Sequence, residues 1–85
     1  MVYKVTYLFN GHIVDEKQFY SRLFMNINDY NKTLSNSQLH FKLIHYLDRL
    51  DKNGIVIIPI RFTNSRGIIS DTMYENQYER IITKT

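Results

Sequence analysis

A chain of 85 residues with a net charge of +3 is long enough for one domain and too short for two hydrophobic cores. It contains no cysteine, which excludes disulfides and thiolate metal sites, yet it has eleven Ile, seven Tyr and five Phe with which to bury a core. The first residues do not resemble a signal peptide, and the longest apolar run, Ile55 to Ile60, is too short to cross a bilayer, so we expect one cytoplasmic domain over residues 1–85 with no membrane partner.

The N-terminal half predicts a strand followed by a helix. Residues 2–9 alternate between an aromatic-rich set and a mixed set, which is the period of a strand, and Asn10 and Gly11 end it. Asp15, followed three residues later by Gln18, resembles a capping box, and apolar residues recur behind it at helical spacing. A first helix is therefore predicted from about Glu16 to Asn26.

The second predicted helix has the clearer start and end. Ser35 and Gln38 have the spacing of a capping box, and Gly54 suits the left-handed residue that closes a helix. Between them a single apolar stripe is formed by Leu39, Leu43, Tyr46, Leu47 and Leu50.

The C-terminal part predicts three strands. Ile55 to Thr63 is rich in β-branched residues, and Pro59 within it indicates an edge strand or a bulge, because proline cannot donate to a ladder. A turn is predicted over residues 64–67. Two further strands are predicted over residues 68–74 and 78–84, joined near Asn76, with a short helical turn over residues 71–77 as the alternative.

The order strand, helix, helix, strand, strand, strand predicts an α+β fold, in which a small antiparallel or mixed sheet carries both helices on one face.

The residues needed for common chemistries are not arranged for it. Gly11, Gly54 and Gly67 stand far apart, so no glycine-rich phosphate loop is present. His40 and His45 are five apart on a predicted helix and point in different directions, which is unsuited to a chelate. We therefore predict a non-enzyme with no catalytic residue, cofactor or metal site.

We expect the helices to cover the face of the first strand that carries Tyr3, Val5, Tyr7 and Phe9, and strand alternation then predicts which side chains share the face that the helices leave bare. If Ile81 in the last strand faces the helices, Arg80 and Ile82 on either side of it face away from them. Arg80 then lies on the bare face with cations from the other strands, grouped around tyrosine side chains. The predicted partner-binding residues on this face are Lys4, Arg61, Tyr74, Tyr78, Arg80 and Lys84.

Three functions are compatible with such a surface. The leading prediction is a protein that binds another protein and blocks its surface, because the chain has more apolar and tyrosine side chains than a small core can hold. The absence of Ala and the abundance of Ile, Asn, Tyr and Lys suggest a phage or mobile element, and hence an inhibitor of a host or defence protein of the anti-CRISPR kind, acting in a bacterial cytoplasm. The alternatives are a weak, salt-dependent binder of single-stranded nucleic acid and a homodimerising structural module.

Overall fold

The computed structural model describes residues 2–60 and 74–84. In chain order its elements are β1 (Tyr3–Phe9), β2 (His12–Val14), α1 (Glu16–Tyr30), α2 (Asn36–Asn53), β3 (Ile55–Ile60) and β4 (Tyr74–Lys84). The strands form one antiparallel sheet in the order β2-β1-β4-β3, and both helices pack against it. The predicted α+β class, with two helices on a small antiparallel sheet, is confirmed.

The first strand continues into a hairpin that the sequence analysis did not predict. Asn10 and Gly11 have φ values of 49° and 82°, and two consecutive left-handed residues form the type I′ turn whose twist suits a two-residue hairpin. The chain then returns as β2, which pairs with the end of β1 from Tyr7 to Phe9. His12 is an exposed residue of this short strand.

The predicted helix signals are present as side-chain contacts. The Asp15 carboxylate accepts the N–H of Gln18 at 2.7 Å, and α1 continues beyond its predicted end at Asn26. At the start of α2, both bonds of the capping box form between Ser35 and Gln38, at 3.3 and 3.1 Å. Gly54 ends α2 in the left-handed conformation, with φ 75°.

The last strand is longer than predicted. The prediction of two strands joined near Asn76 is wrong for the described part, because residues 74–84 form one continuous strand and Asn76 pairs with Ile58 inside it. Asn76 is tolerated there because its amide bonds to the side chains of Asn10 and Asn26, at 3.0 and 2.8 Å. The predicted turn over 64–67 and most of the strand over 68–74 lie outside the described residues.

Pro59 is explained by the register of β3. The Arg80 N–H donates to the Gly54 carbonyl at 2.8 Å, so in an antiparallel ladder the backbone groups of alternate residues of β3 point toward β4. Pro59 falls at the positions that point away from β4, where a missing N–H breaks no bond of that ladder. Of the two predicted options, edge strand or bulge, the edge strand is the one seen among the described strands.

The core lies between the helices and one face of the sheet. The buried residues from both layers form a single cluster: Phe19, Leu23, Ile27, Leu50, Val56, Ile58 and Tyr78. Tyr7 and Phe9 of β1 pack against this cluster, as the alternation in the sequence predicted. Directly opposed residues of antiparallel strands share a face, so these contacts fix which side chains of every strand point toward the helices.

Candidate functional site

The predicted orientation of Tyr78 is wrong. Its side chain faces the helices and is only 1% exposed. The hydroxyl donates toward the Arg22 carbonyl at 3.2 Å and the Asn26 side-chain oxygen at 2.8 Å, so the buried polar group is bonded to α1. Burial raises the pKa of Tyr78 to about 12. Tyr78 therefore belongs to the core and is not available on the surface to a partner.

Arg80 was also predicted on the bare face and lies instead beside the helices. Its guanidinium donates to the Tyr20 hydroxyl at 3.3 Å and to the Asp51 carboxylate at 2.7 Å, and the side chain is 19% exposed. The hydrogen bond to Tyr20, followed by that to Asp51, raises the pKa of Arg80. This arginine ties β4 to both helices.

The error came from assuming that Ile81 is buried. Ile81 is 41% exposed, whereas the residues on either side of it in the strand face the helices. Hydrophobicity favours burying isoleucine, but tyrosine also has a large apolar body and its hydroxyl needs one partner, which α1 supplies. The choice between the two faces was thus decided by partners on distant segments of the chain.

The other predicted site residues do not converge. Lys4 lies on the face away from the helices, while Lys84, opposite Tyr3, lies on the helix side, as does Tyr74, opposite Ile60. Arg61 falls outside the described residues. The described cations and tyrosines of the predicted site are therefore divided between the two faces of the sheet.

The face of the sheet opposite the helices, here called the open face, carries six apolar and six polar or charged side chains in its described part. The register places on it six apolar side chains from all four strands: Leu8, Ile13, Ile55, Ile57, Pro59 and Ile81. Ile13 is 78% exposed, Ile57 50% and Ile81 41%, while Leu8 and Ile55 are half-buried between neighbouring strands. No helix of the described ranges 2–60 and 74–84 covers this face.

The charges on the open face are also unlike the prediction. Its described part carries Glu75 and Glu79 on β4 and Lys4 on β1. Lys4 stands opposite Thr83, near the end of β4, whereas Glu75 lies near its start. The described open face thus combines its apolar side chains with two carboxylates, one ammonium group and the polar residues Thr6, Gln77 and Thr83.

A second apolar surface lies where β1 and β4 continue past the helices. Val5 and Ile82 are directly opposed on the helix side and are 42% and 56% exposed. α2 ends at Gly54, whose carbonyl accepts from the Arg80 N–H, two residues before Ile82 on β4. This pair is smaller than the open face and involves only two strands.

Three polar side chains in a groove beside α1 bond to one another. A groove of about 1130 Å³ is lined by Asn26, Asn76 and Tyr78 among others, and these three side chains form one hydrogen-bonded network. Within the described part of the chain, His, Asp and Glu side chains form no group of three that could hold a metal ion.

Searches against protein-family models, curated proteins and solved structures find no match to this chain. Neither described helix has the length together with the apolar character needed to span a membrane. The case for function therefore depends on the surface itself.

Proposed function

We propose that this protein is a non-enzymatic binding protein that docks its open face on a partner protein and thereby blocks part of the partner's surface. The observation that carries the proposal is the group of exposed isoleucines on this face, Ile13, Ile57 and Ile81, beside the half-buried Leu8 and Ile55. Large contiguous apolar patches on soluble proteins are typical of interaction sites. The proposal keeps the predicted class of function and moves the binding surface.

The exposed isoleucines of the open face contribute part of the free energy that association needs. Fully burying one isoleucine side chain contributes about 1.5–3 kcal/mol. The exposed fractions of Ile13, Ile57 and Ile81 are 78%, 50% and 41%. A partner that covered all three would therefore bury slightly less surface than two fully exposed isoleucine side chains carry. Association costs about 4–15 kcal/mol in lost motion, so the partner must add polar contacts around this patch.

A small inhibitor is the form of this function that we favour. A rigid sheet face positioned by a covered core can occlude a partner without any chemistry of its own. The bias of the sequence toward Ile, Asn, Tyr and Lys supports a phage or mobile-element origin, with a host or defence protein in the bacterial cytoplasm as the target.

The two alternative functions receive less support. Nucleic-acid binding needs cations grouped around aromatic rings, and Lys4 is the one cation on the described open face, against Glu75 and Glu79. A homodimer would use the same apolar patch, and its formation is measured directly by light scattering.

A pair of matched substitutions tests the proposed surface. Ile57→Asp places a charge in the open face, and Phe41→Asp places the same charge on α2, where Phe41 is 70% exposed. We expect wild type and Phe41→Asp to capture the same protein from a lysate of the native host, and Ile57→Asp to bind that purified protein at least about 10-fold more weakly.

Circular dichroism first verifies that both variants are folded. Capture that survives Ile57→Asp and is lost in Phe41→Asp would assign binding to α2 and contradict the proposal. Binding of a short oligonucleotide by wild type at low salt, lost in Lys4→Glu, would favour the nucleic-acid alternative.

A further inference from the structure

Glu79 occupies the middle of the open face. It is directly opposed by Leu8 on β1 and by Ile55 on β3, and Leu8 is in turn opposed by Ile13 on β2. Along its own strand, the next residue on the same face toward the C-terminus is Ile81. This carboxylate is half-buried and has apolar side chains on three sides.

No described residue forms an ion pair with Glu79. The ion pairs among residues 2–60 and 74–84 join Lys52 to Asp48 and Arg80 to Asp51. Lys4 shares the open face but stands opposite Thr83, four residues along β4 and therefore about 13 Å away. Among residues 2–60 and 74–84, no cation competes with water for the Glu79 carboxylate.

Docking changes the environment of this carboxylate. A partner that covers the surrounding isoleucines also removes water from Glu79, and an unpaired charge in such a place opposes binding strongly. A cation on the partner would form a charge-assisted hydrogen bond with Glu79, and this bond offsets the cost of removing water. A charged pair enclosed by apolar contacts is also the arrangement found at interface hot spots.

We propose that the partner of the open face is a protein surface that presents an arginine or lysine within an apolar patch, and that this cation pairs with Glu79. The inference rests on the proposed function and specifies the chemistry of the partner. Glu75, further along β4 beside Pro59, extends the same preference for a basic partner toward one end of the face.

The same carboxylates disfavour the other two occupants. A second copy docked so that the two Glu79 residues meet would bring two carboxylates into one layer, where like charges repel. Nucleic acid would bring phosphates toward both Glu79 and Glu75.

An arginine is favoured over a lysine because its planar fork can bond both carboxylate oxygens at once.

A peptide-display selection tests this inference with a defined probe. A random library is selected on wild-type protein, and each selected clone is measured on Glu79→Gln, Ile57→Asp and Glu16→Gln. Glu16 lies in the first turn of α1 and is exposed, so its variant controls for the loss of one negative charge. We expect selected clones to share a basic residue flanked by apolar ones, to bind Glu79→Gln about 10- to 100-fold more weakly, and to bind Glu16→Gln unchanged.

The outcomes separate this inference from the proposed function. Clones weakened by Ile57→Asp but not by Glu79→Gln would leave the open face as the binding site and overturn the cation pairing. A selection in which no clone distinguishes wild type from Ile57→Asp would overturn both. A monomer–dimer equilibrium abolished by Ile57→Asp, or oligonucleotide binding abolished by Lys4→Glu, would assign the face to another occupant and also overturn the inference.

Discussion

Two adjacent isoleucines in β3 give the sharpest test of which face of the sheet is buried. Ile58 is 0% exposed and packs in the core, whereas Ile57 is 50% exposed on the open face. Both are changed to alanine. The two substitutions remove the same atoms from neighbouring positions of one strand, and they differ in whether the side chain lies in the core.

The expected losses differ several-fold. Ile58→Ala leaves a cavity between the sheet and the helices and should lower the free energy of unfolding by about 2–5 kcal/mol, as for other core isoleucines. Ile57→Ala removes a side chain that is already half in water and should cost about 1 kcal/mol or less. A domain of this size has a total stability of about 4–13 kcal/mol, so the first variant loses a large share of it.

Thermal and urea unfolding followed by circular dichroism measures both values. Each kcal/mol corresponds to a shift of about 4–8 °C in Tm for a domain of this length. We expect Ile58→Ala to melt at least about 8 °C below wild type and Ile57→Ala to stay within about 8 °C. Equal losses, or a larger loss for Ile57→Ala, would refute the assignment of the two faces.

Three further predictions concern the contacts that orient β4 and the turns around it. Tyr78→Phe should lower the free energy of unfolding by about 1 kcal/mol. Burial raises the pKa of this tyrosine from 10.0 to about 12, so the wild type should also lose stability as the pH rises between those values. In unfolding curves measured over that alkaline range, Tyr78→Phe should lose less stability than the wild type. Arg80→Ala should cost about 1–2 kcal/mol through lost bonds to both helices, whereas Arg49→Ala, at an exposed position of α2, should stay within about 0.5 kcal/mol in the same assay. Gly54→Ala should lower the free energy of unfolding more than Gly11→Ala does. Both glycines have positive φ, but a Cβ at Gly54 would lie 3.3 Å from the Arg80 carbonyl oxygen, whereas a Cβ at Gly11 meets nothing within 4 Å. Equal losses of stability in urea unfolding would contradict this prediction.

Local signals in the sequence predicted most of the fold. The capping box at Ser35 and the glycine at position 54 set the limits of α2, because both act through atoms a few residues away. The alternation in β1 predicted that Tyr7 and Phe9 pack toward the helices. The turn at Asn10 and Gly11 was also visible, and it could have predicted the hairpin, but only three residues follow it as a strand.

The orientation of β4 could not be read in the same way. Both faces of this strand carry apolar and polar residues, so its period of two fits either assignment. The outcome depends on Asn26, which accepts the Tyr78 hydroxyl, and on Tyr20 and Asp51, which accept Arg80. These partners are between 29 and 60 residues away in the chain, and only the fold brings them to β4.

The candidate site changed for the same reason. Reversing β4 moves Tyr78 and Arg80 to the helix side and brings Glu79 and Ile81 to the open face. A surface predicted to be basic therefore carries six apolar side chains, two carboxylates and a single cation in its described part. The predicted class of function does not depend on this change, whereas the chemistry of the expected partner does.

Solvent accessibility of the isoleucine methyl groups tests the central claim most directly, because it requires no partner. Methyl-labelled protein is titrated with a soluble paramagnetic chelate, and the relaxation of each Ile δ1 methyl group is measured by NMR. The open, water-facing patch predicts strong relaxation at Ile13, Ile57 and Ile81 and weak relaxation at Ile27 and Ile58, which are 0% exposed. Methyl groups of Ile57 and Ile81 as well shielded as that of Ile58 would show that the face is covered, and would contradict the account.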